Sequence, residues 1–72
     1  MTQERLRKLL GMKIRKLRRG MDLTQDGLAE RLGMPDQPAT ISMWETGVRE
    51  PCLEKLNRLE MVLGQLWPVE HD

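Results

Sequence analysis

Seventy-two residues make one small domain, and a chain of that size buries only about 60% of the surface its unfolded form exposes, so its core must be economical. A single cysteine, Cys52, excludes a disulfide framework within the chain, and its distance in sequence from the one histidine, His71, gives no metal-ligand spacing. No cofactor or metal site is expected. No apolar run approaches the ~20 residues that span a bilayer, and the amino terminus is charged where a signal peptide is apolar. The expectation is a cytoplasmic protein with no membrane partner.

The formal net charge of +1 conceals a segregation. Residues 1–20 carry eight Lys or Arg against Glu4 alone, whereas residues 21–72 carry four basic against ten acidic side chains. A basic segment can follow phosphates, but it is more often the solvated face of an amphipathic helix, so composition by itself indicates no nucleic acid.

From Thr2 to about Arg19, apolar residues fall at Leu6, Leu10, Ile14, Leu17 and Met21, at the three-and-four spacing of one helical stripe. Gly11 interrupts it at a cost of about 1 kcal/mol relative to alanine. The part before Gly11 therefore reads as a separate or frayed turn, and only Met12 onward as core. Thr24 is suited to cap a second helix, with Leu23 and Leu28 as a hydrophobic staple and Asp26 complementing the positive helix end. Gly27 occupies the place of a capping-box glutamate, so the reciprocal bond is absent. Leu28, Ala29 and Leu32 supply the inward face, and Gly33 suits a left-handed stop.

Met34-Pro35-Asp36-Gln37-Pro38 is turn material. Asp36 is the better capping side chain for a third helix, whereas the avoidance of helical angles before proline favours Gln37 as cap and Pro38 as first helical residue. That helix runs to about Thr46 and stops at Gly47. Ile41, Trp44 and Val48 are placed inward, and Ala39, Met43 and Thr46 opposite, flanked by Thr40 and Ser42. After Val48 to Pro51, the stripe Leu53, Leu56, Leu59, Val62 and Leu63 marks a fourth helix ending at Gly64. No strand pattern or repeat is visible. The fold class expected is all-α: a compact four- or five-helix domain with a helix-turn-helix, a single unit over 1–72 with its core at about 10–64 and a short apolar tail at 65–72.

Two short capped helices joined by a turn have the dimensions to enter a DNA major groove about 12 Å wide if the second stays accessible. The small outer face of the third helix would let its backbone approach base edges, with alanine and methionine meeting thymine methyls and hydroxyls donating to bases or phosphates. Glu45, next to inward Trp44, needs a charge partner. The tail Leu66, Trp67 and Val69 either covers the core or forms a self-complementary patch that builds a dimer. No pair of groups offers a nucleophile with its base, a metal cluster or a phosphate-cradling glycine loop, so no enzyme is expected.

Ile14-Arg15-x-x-Arg18, Leu23-Thr24-Gln25-x-x-Leu28-Ala29-x-x-Leu32-Gly33 and Ile41-Ser42-x-Trp44-Glu45-x-Gly47-x-x-x-Pro51 together resemble the Xre, Cro and phage-repressor helix-turn-helix family, over roughly Leu10 to Gly64. The resemblance implies a five-helix, lambda-repressor-like domain that binds double-stranded operator DNA as a two-fold homodimer, its third helix in the major groove. It implies phosphate contacts from Thr24 and Gln25 at the start of the second helix and from Arg49 after the third. Ala39 and Met43 stand at base-reading positions, with Gln37, Thr40, Ser42 and Thr46 in support. Arg18 and Glu45 match a family ion pair. Two departures are visible: two extra residues lie between Gly33 and Ile41, and Pro38 cannot make the amide contact of the glutamine common there. The expected function is a transcriptional regulator, most simply an autorepressor. The alternative is an antitoxin-like interaction module whose partner is a protein such as a toxin and whose DNA binding is secondary.

Overall fold

In the computed structural model, residues 3–66 are described, and among them lie four helices and no strand. The amphipathic stripe winds Gln3–Gly20 into one uninterrupted helix, α1, with Leu10, Gly11, Ile14 and Arg18 buried. The break expected at Gly11 is absent, because Gly11 serves tertiary packing. A Cβ built on it would lie 2.6 Å from the Glu45 carbonyl oxygen and closer still to that of Trp44, which only a glycine tolerates. Met12, expected in the core, is 65% exposed, since it lies two residues from buried Ile14 and so on the opposite side of the helix.

The chain leaves α1 through Asp22, whose φ of 57° is left-handed. Leu23 N–H donates to the Arg18 carbonyl at 3.1 Å and Asp22 N–H to that of Arg19 at 3.0 Å, so the helix end is closed by a Schellman motif with aspartate in the position glycine usually fills. Met21, counted in the stripe, falls beyond the helix and is exposed.

Thr24 caps α2 (Gln25–Arg31) as expected, its hydroxyl accepting from Gly27 N–H at 2.9 Å. Leu28 is fully buried and Leu23 packs against the same core, the burial that the expected staple requires. At its end the Gly33 N–H donates to the Glu30 carbonyl and the Met34 N–H to that of Ala29, a second Schellman closure that draws Met34 into the core. Gln37 precedes α3 (Pro38–Thr46) without a side-chain cap bond, and Pro38 takes the first helical position. Proline needs no N–H partner there, which decides the cap in favour of Gln37 over Asp36.

Gly47 ends α3 at φ 79°, where it and Val48 close a third such motif on the Trp44 and Met43 carbonyls. That reversal carries Val48 off the helical wheel. Expected inward, it is 68% exposed. The fourth helix, α4 (Leu53–Leu63), buries Leu59 and Leu63 and half-buries Leu56 and Val62. Leu53, the first residue of α4 and expected in its stripe, is 75% exposed.

One core joins the four helices, with Ile14, Leu28, Leu32, Ile41, Leu59 and Leu66 the largest fully buried side chains. Each contributes about 1.5–3 kcal/mol relative to an exposed position. Leu66 therefore belongs to the interior of the single chain, anchored by its N–H on the Glu60 carboxylate at 2.9 Å. Of the two readings of the tail, a cover for the core or a self-complementary dimer patch, Leu66 follows the first. Its companions there, Trp67 and Val69, lie outside the described residues. Among the described residues, no helix is long and apolar enough to cross a membrane.

Candidate nucleic-acid interface

The position of α3 is set by a buried polar network. Arg18 donates from Nε to Glu45 Oε2 at 2.6 Å and from Nη2 to Oε1 at 3.1 Å, a bidentate pair with the Glu45 side chain only 3% exposed. The third corner of the guanidinium, Nη1, donates to the Leu23 carbonyl at 2.7 Å, just before the α2 cap. Gln25, the first residue of α2, completes the set, its amide nitrogen donating to Glu45 Oε1 at 3.1 Å. One carboxylate on α3 is thus tied to α1 and α2 together. Planar, fork-shaped donors suit this work because they fix direction as well as distance. No buried side-chain polar atom among the described residues lacks a hydrogen-bond partner.

With Ile41, Trp44 and Glu45 buried, the opposite side of α3 is turned outward. Gln37, Ala39 and Thr46 are exposed, while Thr40, Ser42 and Met43 are half-buried. The Thr46 hydroxyl donates back to the Ser42 and Met43 carbonyls at 3.0 and 3.3 Å, so its proton is engaged within the helix and its oxygen remains an acceptor. A helix such as α3 is, with its side chains, about 10–12 Å across, a match for the major-groove width of about 12 Å. Thr24 is exposed beside it at the start of α2, and Arg49 is exposed just past its end. Gln25 is half-buried.

The helix-turn-helix family profile matches residues 14–66 of this chain. The chain belongs to that family, in its Xre, Cro and lambda-repressor type. Its members are DNA-binding transcription regulators and typically not enzymes. No curated protein and no solved structure shows significant similarity to the chain. The helix-turn-helix proper is α2, the turn at residues 32–37, and α3.

Sequence reasoning paired Arg18 with Glu45 but assigned Gln25 to phosphate alone and overlooked Arg7, which donates from Nε to the Gly47 carbonyl at 3.3 Å. A signal was available. Arg7, Gly11, Ile14 and Arg18 are spaced by four, three and four, so they share the face of α1 turned toward α3. Arg58 was overlooked as well, and it donates to the Leu32 carbonyl at 3.0 Å where α2 ends.

Proposed function

We propose that this regulator binds specific double-stranded DNA as a two-fold dimer, inserts α3 into the major groove, and represses by covering its own promoter. The observation that carries the reading is the Arg18–Glu45–Gln25 network, which fixes α3 against the start of α2 and leaves a face of small side chains outward. Preorganisation of this kind removes ordering cost at the moment of binding. Ala39 and Met43 meet base edges, thymine methyls above all, with Gln37, Thr40, Ser42 and Thr46 beside them. Thr24 and Arg49 contact phosphates. Gln25 contributes its first-turn backbone N–H, since its side-chain amide is held by Glu45.

Dimeric binding places half-sites about 34 Å apart on an imperfect palindrome. Thr24 and the Gln25 N–H are uncharged, so of these contacts Arg49 is the one that neutralises a phosphate, giving a salt slope of about −1.8 per dimer at roughly −0.9 per phosphate. Gln37→Ala and Met43→Ala, compared separately with wild type on a panel of duplexes, should each alter the preference at one or two base positions. Unchanged preferences in both variants would remove α3 from base reading. Sedimentation of the protein with a bound duplex should show two protomers per site, and one protomer would refute the dimer.

A further inference from the structure

The first three or so turns of α1, Gln3 to Lys13, lie before the matched stretch of the family. They continue straight across the end of α3. Arg7 donates to the Gly47 carbonyl, and Lys8 lies so close that a Cβ on Gly47 would stand 2.8 Å from its Cγ. Arg49 follows Gly47 by two residues, within about 8 Å along the backbone. Two basic residues of α1 therefore lie against the end of α3, and the backbone of a third, Arg49, follows within two residues. We propose that Arg7 and Lys8 form, with Arg49, a second anchor for DNA backbone phosphates, at the end of the recognition helix opposite the anchor at the start of α2.

The charges around these side chains permit it. Among the described residues, Arg7 spends only Nε, on the Gly47 carbonyl, which leaves the two terminal nitrogens of its fork to receive an anion. Lys8 faces Glu4 at 3.4 Å, with both side chains more than three-fifths exposed, a pair that solvent leaves nearly neutral in energy and that a phosphate can displace. Among the described residues, Glu50 also lies nearby, sharing with Arg7 a shallow hollow of about 180 Å³, and the balance of Arg7, Lys8 and Arg49 against Glu4 and Glu50 stays positive. The Gly47 carbonyl is the negative end of α3, so Arg7 also satisfies that helix terminus. A purely structural role for it must be separated from phosphate binding.

The proposal rests on DNA binding through α3, and salt dependence tells the two apart. Lys8→Gln, Arg7→Gln, Arg7→Lys and Arg49→Gln are each titrated with the duplex recovered by wild-type selection and with a scrambled duplex, at several salt concentrations, alongside thermal melts. Lys8→Gln should bind both duplexes more weakly by the same factor, melt with wild type, and flatten the salt slope by about 0.9 for each phosphate no longer neutralised, near 1.8 per dimer. Arg7→Gln should flatten the slope likewise, and Arg7→Lys should restore it whatever either does to melting. A slope unchanged by Lys8→Gln and Arg7→Gln but flattened by Arg49→Gln would overturn the second anchor and leave the α3 reading standing. Wild-type protein that binds neither duplex would overturn both.

Discussion

Replacing Arg18 by alanine tests the physical centre of the structure. The substitution deletes three donors: two to a carboxylate whose side chain is 3% exposed and one to the Leu23 carbonyl. Gln25 alone then remains to hold the Glu45 charge. Stranding a buried charge in this way costs about 3–5 kcal/mol, against a total stability of roughly 4–11 kcal/mol for a chain this long. At about 4–8 °C per kcal/mol for a domain of this size, the melting temperature should fall by ~12 °C at the least. Thermal melting followed by far-UV circular dichroism, with urea unfolding at 25 °C, reads the change. The double variant Arg18→Met, Glu45→Met removes both charges and should recover most of the loss, because the penalty lies in the unpaired ion. A melting temperature of Arg18→Ala within a degree of wild type would refute the account of how α3 is held, as would a double variant no more stable than Arg18→Ala.

Gly11→Ala should lose about 1–3 kcal/mol by urea unfolding, despite alanine's better helix propensity, because its methyl meets the Trp44 and Glu45 carbonyls; a stabilised variant would show that α1 and α3 are not so close. Asp22→Gly should gain up to about 1 kcal/mol by relieving a left-handed aspartate at φ 57°, and a loss in the same assay would show that the aspartate side chain stabilises the turn. Thr24→Ala should cost about 1 kcal/mol through its cap on Gly27, while Thr24→Ser should melt close to wild type.

Features encoded within a few residues of one another were legible in the sequence. The Thr24 cap, the inward Leu28 and the stops at Gly33 and Gly47 each depend on local backbone chemistry, whereas the start of α3 stays open between Asp36 and Gln37 on sequence and is fixed by the structure at Gln37. Even the long-range pair Arg18–Glu45 was legible, but through the family resemblance that names both residues; the charge beside Trp44 called only for some partner. What escaped was set by neighbours distant in the chain or by the ends of helices. Propensity alone makes Gly11 a break in α1, yet its role is the approach of α3, more than thirty residues away. A helical wheel turns Val48 and Leu53 inward, but α3 has stopped before the first and α4 has barely begun at the second. Leu66 reads equally as a cover for the core or as part of a sticky patch, and the contacts of the folded chain decide for the core. At the interface, Gln25 could be placed at the start of α2, but its bond to Glu45 required knowing how α2 and α3 face each other.

Selection of bound sequences from a random duplex pool by the purified protein, at physiological salt, tests the central claim most directly. Recovery of an imperfect palindrome with half-sites one helical turn apart is the result expected of a dimer that reads bases through α3. A pool that remains random, with the protein shown to be folded and helical in the same buffer, would contradict it.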